Sequence, residues 1–162
     1  YVELDESDAC DLYGRTKYLG EISDRSNVLT LRTSYIGNEL NTAHGLLEWF
    51  LAQGEECQGY TRAIYSGLPS IIFVKVLESV LLKHGGLSGL YHVSSSPISK
   101  YNLLNLIAKV FDKKIRIVPN DALVIDRSLD SSRFTRATGF IAPPWEQMVE
   151  KMYIDRMVNV QR

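Results

Sequence analysis

Tyr13 and Lys17 are the pair in this sequence whose types and spacing suit chemistry. A phenol titrates near pH 10 and is a poor proton donor or acceptor at neutral pH. A neighbouring cation favours the phenolate, and a Tyr-Lys pair can then act as general acid or base on a carbonyl or hydroxyl oxygen. Four residues apart, the two share one face of a helix. The spacing alone is also met by chance on amphipathic helices, so the text around the pair has to decide.

Other chemistry-bearing types are scattered. His44, His84 and His92 stand alone, and no spacing resembles a metal site. Cys10 and Cys57 are far apart and read as free thiols of a reducing compartment. His92 sits in an apolar run and reads as a satisfied core histidine. Gly85-Gly86-Leu87-Ser88-Gly89 follows a helical segment and precedes a strand, the reverse of a dinucleotide fingerprint, so it reads as a helix stop and turn. Ser99 and Ser131 lack a nucleophile elbow or nearby base and read as helix caps. Leu103, Leu104, Ile107 and Val110 form a core stripe, and Trp49, Phe50 and Trp145 read as core or interface aromatics.

The elements that would position these residues alternate. An acidic loop covers 1–11. A helix is expected from Leu12 to Arg25 with Asp11 as cap, then an apolar strand over Asn27–Gly37 buried on both faces, as in a parallel sheet. A helix follows over Ala43–Gln53, then a short strand or loop over Glu56–Tyr65. Gly67-Leu68-Pro69-Ser70 reads as a turn capping a helix over Ser70–Lys83. A strand over Gly89–Ser94, a helix over Lys100–Phe111, a strand over Lys114–Val118, a short helix over Ser131–Thr138 and a helix from Pro144 to Met157 complete the order. Such alternation marks an α/β layered fold.

Composition narrows the function classes. The 162 residues are 45% apolar and 23% charged, with 18 basic against 19 acidic side chains. That is the make-up of an ordinary globular protein. The near-neutral balance gives no reason to expect nucleic acid or an anionic membrane as partner. The most apolar stretch, Ile71–Leu82, is short and carries Lys75 and Glu78, so no membrane span is expected. No signal peptide is expected either, and the location is read as cytoplasmic.

Asp11-Leu12-Tyr13-Gly14-Arg15-Thr16-Lys17-Tyr18-Leu19-Gly20-Glu21 resembles the active-site helix of extended short-chain dehydrogenases/reductases that act on nucleotide sugars. Leu31-Arg32-Thr33-Ser34-Tyr35-Ile36-Gly37 resembles the following segment of the dTDP-4-dehydrorhamnose reductase type. Gly67-Leu68-Pro69-Ser70, Gly89-Leu90-Tyr91-His92-Val93, Ser99 and Pro144-Trp145 resemble further landmarks, in family order over nearly the whole sequence. The resemblance implies the C-terminal part of a Rossmann-like, NAD(P)-binding α/β fold with a mixed α/β subdomain for the sugar nucleotide. Residues 1–37 would belong to the Rossmann-like domain and 38–162 to the substrate subdomain, with 89–111 returning to the Rossmann-like sheet.

By the same resemblance Tyr13 would protonate the C4 keto oxygen of the sugar. Lys17 would hold the nicotinamide ribose and stabilise the phenolate of Tyr13. Thr33 and Ser34 would lie beside the nicotinamide. Tyr35 takes the place of a family tryptophan on the sugar nucleotide, and Arg127 would meet its diphosphate. Arg62-Ala63-Ile64-Tyr65 stands where the family often has Asp-Gln, and the segment 126–134 follows the family only loosely.

No glycine fingerprint follows a strand, and Tyr1 stands where a start methionine would. The cofactor-binding half is therefore expected upstream, with NAD(P)H used by the parent protein and not bound tightly by this chain alone. The expected parent reaction is reduction of a nucleotide-linked 4-keto sugar, in surface polysaccharide or deoxysugar synthesis. Rival readings are an epimerase or dehydratase of the same superfamily, a non-catalytic reductase-like regulatory or binding protein, and a truncated product. A homodimer is expected from the exposed apolar surface and open strand edge of such a piece.

Overall fold

The computed structural model describes residues 1–39 and 44–160. Helix α1 (Leu12–Leu19) comes first, then strands β1 (Leu29–Arg32) and β2 (Tyr35–Ile36) and helix α2 (Leu46–Leu51). Strands β3 (Glu56–Tyr60), β4 (Ala63–Tyr65) and β5 (Leu68–Pro69) lead into helix α3 (Ser70–Lys83). Strands β6 (Gly89–His92) and β7 (Ile98–Ser99) precede helix α4 (Lys100–Val110). Strands β8 (Arg116–Asn120) and β9 (Ile125–Asp126) and helices α5 (Ser132–Thr138) and α6 (Trp145–Val160) follow.

The α/β expectation holds, with parallel pairing dominant. β1 pairs with β6 from Leu29↔Gly89 to Arg32↔His92, β2 with β5, and β3 with β8, all parallel. β4 lies between β7, antiparallel, and β9, parallel. Parallel neighbours need long crossovers, which the helices supply. The core gathers where α3, α4 and α6 meet. Val76 and Val80, Leu103, Leu104 and Ile107, and Met148, Val149 and Met152 are all buried there, with Phe50 and Phe134. The expected stripe on α4 is thus core, with Val110 at its half-buried margin. Trp145 is buried too, and its indole N–H donates to Ser96 O at 2.7 Å. Phe50 is buried and Trp49 half-buried.

Several boundaries differ from the sequence reading. α1 stops at Leu19, not Arg25, because Gly20 is a poor helix former and Thr30 captures the next segment. The Thr30 hydroxyl donates to Ile22 O at 2.7 Å and ties that stretch to β1. The long strand over Asn27–Gly37 is two strands. The chain changes partners between them: Arg32 O accepts from Val93 N, whereas Ser34 O accepts from Leu68 N, both at 2.9 Å. β1 is also half-buried throughout rather than buried on both faces.

The helix expected over Ala43–Gln53 is observed as Leu46–Leu51, and its expected start at Ala43 lies outside the described residues. Leu68-Pro69 is a strand rather than a turn, and Ser70 is already helical, so it does not cap α3. Its hydroxyl instead lies against Gly37, where a Cβ would come within 2.2 Å. β8 is shifted to 116–120 by its register with β3, which starts at Glu56↔Arg116. α6 continues past Met157 to Val160.

Of the expected serine and aspartate caps, Asp11 and Ser99 are present and Ser70 and Ser131 are not. Asp11 accepts from Gly14 N at 2.7 Å and Ser99 from Asn102 N at 3.1 Å. Ser131 does not cap α5. The carboxylate of Asp130, one residue earlier, takes the Ser132 N–H at 2.7 Å. Gly85 and Gly86 form the expected turn after α3. Cys10 and Cys57 are both free thiols, and no metal-binding cluster exists among the described residues. None of the described helices is long and apolar enough to cross a membrane.

Candidate functional site

A cleft of about 600 Å³ opens where β1 hands over to β2. Its walls come from α1, the β1–β2 junction, Ser66-Gly67 and the segment after β9. Tyr13, Lys17, Thr33, Ser34, Tyr35 and Arg127 all line it. Residues spread over more than a hundred positions of sequence thus meet in one concavity.

α1 carries Tyr13 and Lys17 to the rim. The Asp11 cap fixes its start, and Gly14 allows close passage of the entry loop: a Cβ there would lie 2.6 Å from Ala9 Cβ. Lys17 Nζ sits 5.4 Å from the centroid of the Tyr13 ring, a cation–π distance. The Tyr13 side chain is 73% exposed, so it faces the cleft and solvent rather than the core. Tyr35 is equally exposed at 73%, at the start of β2. Thr33 and Ser34 occupy the gap between the two strands. Two backbone hydrogen bonds flank that gap and hold it open, so side-chain hydroxyls are presented without a sheet neighbour over them. Arg127 follows β9 directly, and its N–H donates to Ile64 O at 3.1 Å.

The sequence reading missed a charged cluster at the floor. Arg32 makes a two-pronged ion pair with Glu21, with both contacts at 2.7 Å. This is the geometry in which guanidinium and carboxylate bind most strongly. The hydrogen bonds that Arg32 donates to Glu21 hold its guanidinium above its ordinary range, against the opposing effect of burial. Arg32 Nη1 also lies 3.3 Å from His92 Nε2. A guanidinium only donates, so Nε2 accepts and the ring proton sits on Nδ1. Burial, first, and Arg32, in addition, push His92 below its usual pKa, while Glu3 pulls it back. His92 is therefore a neutral core histidine, as expected, but satisfied on one nitrogen only: Nδ1 is buried without a partner. Glu21 and Arg32 both lie inside the motifs quoted above; the missing signal was their pairing across the α1–β1 connection.

The site offers hydroxyl, ammonium and guanidinium donors around an open cavity. Such a set can bind a phosphorylated, hydroxylated ligand and move one proton at the Tyr13 oxygen. Tyr13, Lys17, Thr33 and Ser34, the residues expected at a nicotinamide cofactor, all lie on this cleft.

No family model matches the sequence, and no curated protein matches it significantly. Solved structures do match. The dTDP-4-dehydrorhamnose reductase of Bacillus anthracis, in complex with NADP, superposes with a TM-score of 0.76 at 22% identity, over 96% of this chain and 59% of that one. The dTDP-4-dehydrorhamnose reductase of Yersinia enterocolitica gives 0.75 at 20% identity, over 94% and 59%. The UDP-N-acetylglucosamine 4-epimerase of Bacillus cereus gives 0.60 at 18%, over 78% and 45%. The chain spans about three fifths of the length of these reductases. It shares the Rossmann-like α/β fold of these reductases over almost all its length, and that of the epimerase over about three quarters of it.

Proposed function

We propose that this chain is the catalytic-helix and substrate portion of an NAD(P)H-dependent reductase of a nucleotide-linked 4-keto sugar. The observation that carries the reading is the convergence of Tyr13, Lys17, Thr33, Ser34, Tyr35 and Arg127 on one cleft. Tyr13 donates a proton to the oxygen that gains negative charge as the ketone is reduced. Lys17, over the Tyr13 ring, stabilises the phenolate left behind and hydrogen-bonds the cofactor ribose. Thr33 and Ser34 orient the nicotinamide, which supplies the hydride when bound. Tyr35 stacks on the sugar nucleotide, and Arg127 clamps its diphosphate. Residues 1–37 serve the cofactor side and 38–162 the substrate side, with 89–111 rejoining the first sheet.

The parent protein works in the cytoplasm as a homodimer, in surface polysaccharide or deoxysugar synthesis. The isolated chain binds cofactor weakly, because nothing in its sequence cradles a pyrophosphate. Calorimetric titration with NADPH and NADH checks this; micromolar binding to the chain alone would refute it.

The test of the reaction uses the polypeptide extended by its upstream coding sequence. It should oxidise NAD(P)H in step with a dTDP-4-keto-6-deoxy sugar. Tyr13→Phe should cut turnover about 10²–10⁴-fold while leaving substrate binding nearly unchanged. The structural likeness to a 4-epimerase supports one second reading, epimerisation with the cofactor retained. Product formed without net NAD(P)H consumption would select it.

A further inference from the structure

Among the residues that line the cleft Glu21 is the one carboxylate, set among the cations Lys17, Arg32 and Arg127. Which cation it takes decides the charge left for chemistry. Sequence spacing favours Lys17. Glu21 follows it by four positions, and on a continued helix the two would share a face and pair. The structure prevents that pairing in two ways. First, α1 ends at Leu19. The Glu21 N–H donates to Tyr18 O at 3.1 Å rather than to Lys17 O, so the chain winds more tightly there than an α-helix and Glu21 turns off the Lys17 face.

Second, Arg32 takes both Glu21 oxygens. Its Nε donates to Oε1 and its Nη2 to Oε2, each at 2.7 Å. The third nitrogen, Nη1, lies 3.3 Å from His92 Nε2, so the guanidinium is held from two sides. A planar fork meets a carboxylate at two points, where an ammonium meets it as a point charge. Among the described residues Lys17 makes no ion pair, and its ammonium stays 5.4 Å from the centroid of the Tyr13 ring. A cation there favours the phenolate, and a carboxylate bound to that cation would offset its charge and draw it off the ring.

We propose that Arg32 is a positioning residue of the cleft: it captures Glu21 and so keeps the charge of Lys17 free for Tyr13. This role is distinct from anchoring α1, because it fixes where Glu21 goes once Arg32 is removed. It rests on the function proposed above for the use made of Lys17, while the competition for Glu21 stands on the geometry alone.

Competitive acetylation of the full chain with a trace of N-hydroxysuccinimide acetate, read lysine by lysine by mass spectrometry, tests it. The reference is Lys75, exposed on α3. In Arg32→Gln the freed Glu21 should pair with Lys17, and the rate of Lys17 relative to Lys75 should fall about two-fold, the strength of an i, i+4 ion pair. Adding Glu21→Gln to that variant should restore the original ratio, although it rebuilds no contact between α1 and β1. Loosening of α1 alone would leave Lys17 equal or faster, with nothing for the second substitution to rescue. Glu21→Gln by itself, which does not depend on the folding of Arg32→Gln, should leave the ratio unchanged. In the polypeptide extended upstream, Arg32→Gln should lower kcat with the KM for sugar nucleotide nearly unchanged, and the double variant should recover it. The expected labelling with no reduction of any 4-keto sugar would leave the capture of Glu21 standing and remove the reductase reading. An unchanged or higher Lys17 ratio in Arg32→Gln, a fall that the double variant does not reverse, or a rise of about two-fold in Glu21→Gln alone would overturn the proposal.

Discussion

Helices α1 and α4 start in the same way and end up in opposite environments. Each begins behind a short acceptor side chain, Asp11 in one and Ser99 in the other. α4 then buries Leu103, Leu104 and Ile107 against α6 and β3. α1 buries nothing: Leu12 and Leu19 are about four-fifths exposed, and Tyr13 nearly so. Within this chain α1 is held by its cap, by the Ala9 approach at Gly14 and by the Glu21–Arg32 pair just beyond its end. The helix that carries the candidate chemistry is thus the one with the least packing. Residues that must meet a ligand cannot also fill a core, and α1 spends its surface on the first task.

That contrast can be broken experimentally. The largest effect on stability should come from Leu104→Ala, at about 2–5 kcal/mol, because the site is fully buried and a cavity is left behind. Leu19→Ala on α1 should cost under about 0.5 kcal/mol. Chemical denaturation of the two variants measures both, and similar losses would erase the distinction.

Next comes the floor of the cleft. Glu21→Gln removes one charge from a two-pronged pair whose side chains are about one-fifth exposed, and should cost about 1–3 kcal/mol. Local hydrogen exchange should rise first around α1 and β1. Unchanged exchange there would mean that the pair does not anchor the helix.

The caps sharpen the comparison. Asp11→Ala and Ser99→Ala should each lose about 1 kcal/mol of helix stability. The Ser99 loss should appear in the global unfolding midpoint, since α4 is part of the core. The Asp11 loss should appear only as local fraying of α1, seen as faster amide exchange over Leu12–Leu19 with little shift in the midpoint.

The smallest effect concerns pH. Folding holds His92 neutral with its pKa below the ordinary value. The native state therefore takes up fewer protons than the unfolded chain. The contribution of His92 is complete above about pH 6.5, its ordinary value, and is lost as pH falls from there through the folded pKa. The denaturation midpoint should drop between about pH 7 and pH 5, and His92→Gln should flatten that drop. An equally steep slope in the variant would assign it to other groups.

Much of the local structure could be read along the chain. The Asp11 and Ser99 caps, the stripe on α4 and the glycine turn after α3 follow from short-range rules, and each was found where expected. What escaped were the features with distant partners. β4, β7 and β9 are two or three residues long, too short to leave a periodic signature, and exist because three segments meet. The break between β1 and β2 contains no glycine or proline; it comes from the switch of partner from β6 to β5. Ser131 failed as a cap because Asp130 offered a stronger acceptor one position earlier.

The candidate site divides the same way. That Tyr13 and Lys17 share one face was legible because a helix of 3.6 residues per turn puts positions four apart together whatever surrounds it, whereas their standing as a candidate pair rested on the resemblance of the text around them. Thr33, Ser34, Tyr35 and Arg127 were legible by resemblance alone. Their meeting in one cleft is a property of the tertiary structure: the β1–β6 and β4–β9 pairings carry them together. The same holds for the Glu21–Arg32–His92 cluster. The sequence by itself determined which groups exist and which of them lie on a common helical face, because those relations span a single turn. Which cavity they line, which charges pair and which polar groups stay buried unpaired were decided by contacts among residues far apart in the chain, which no local period encodes.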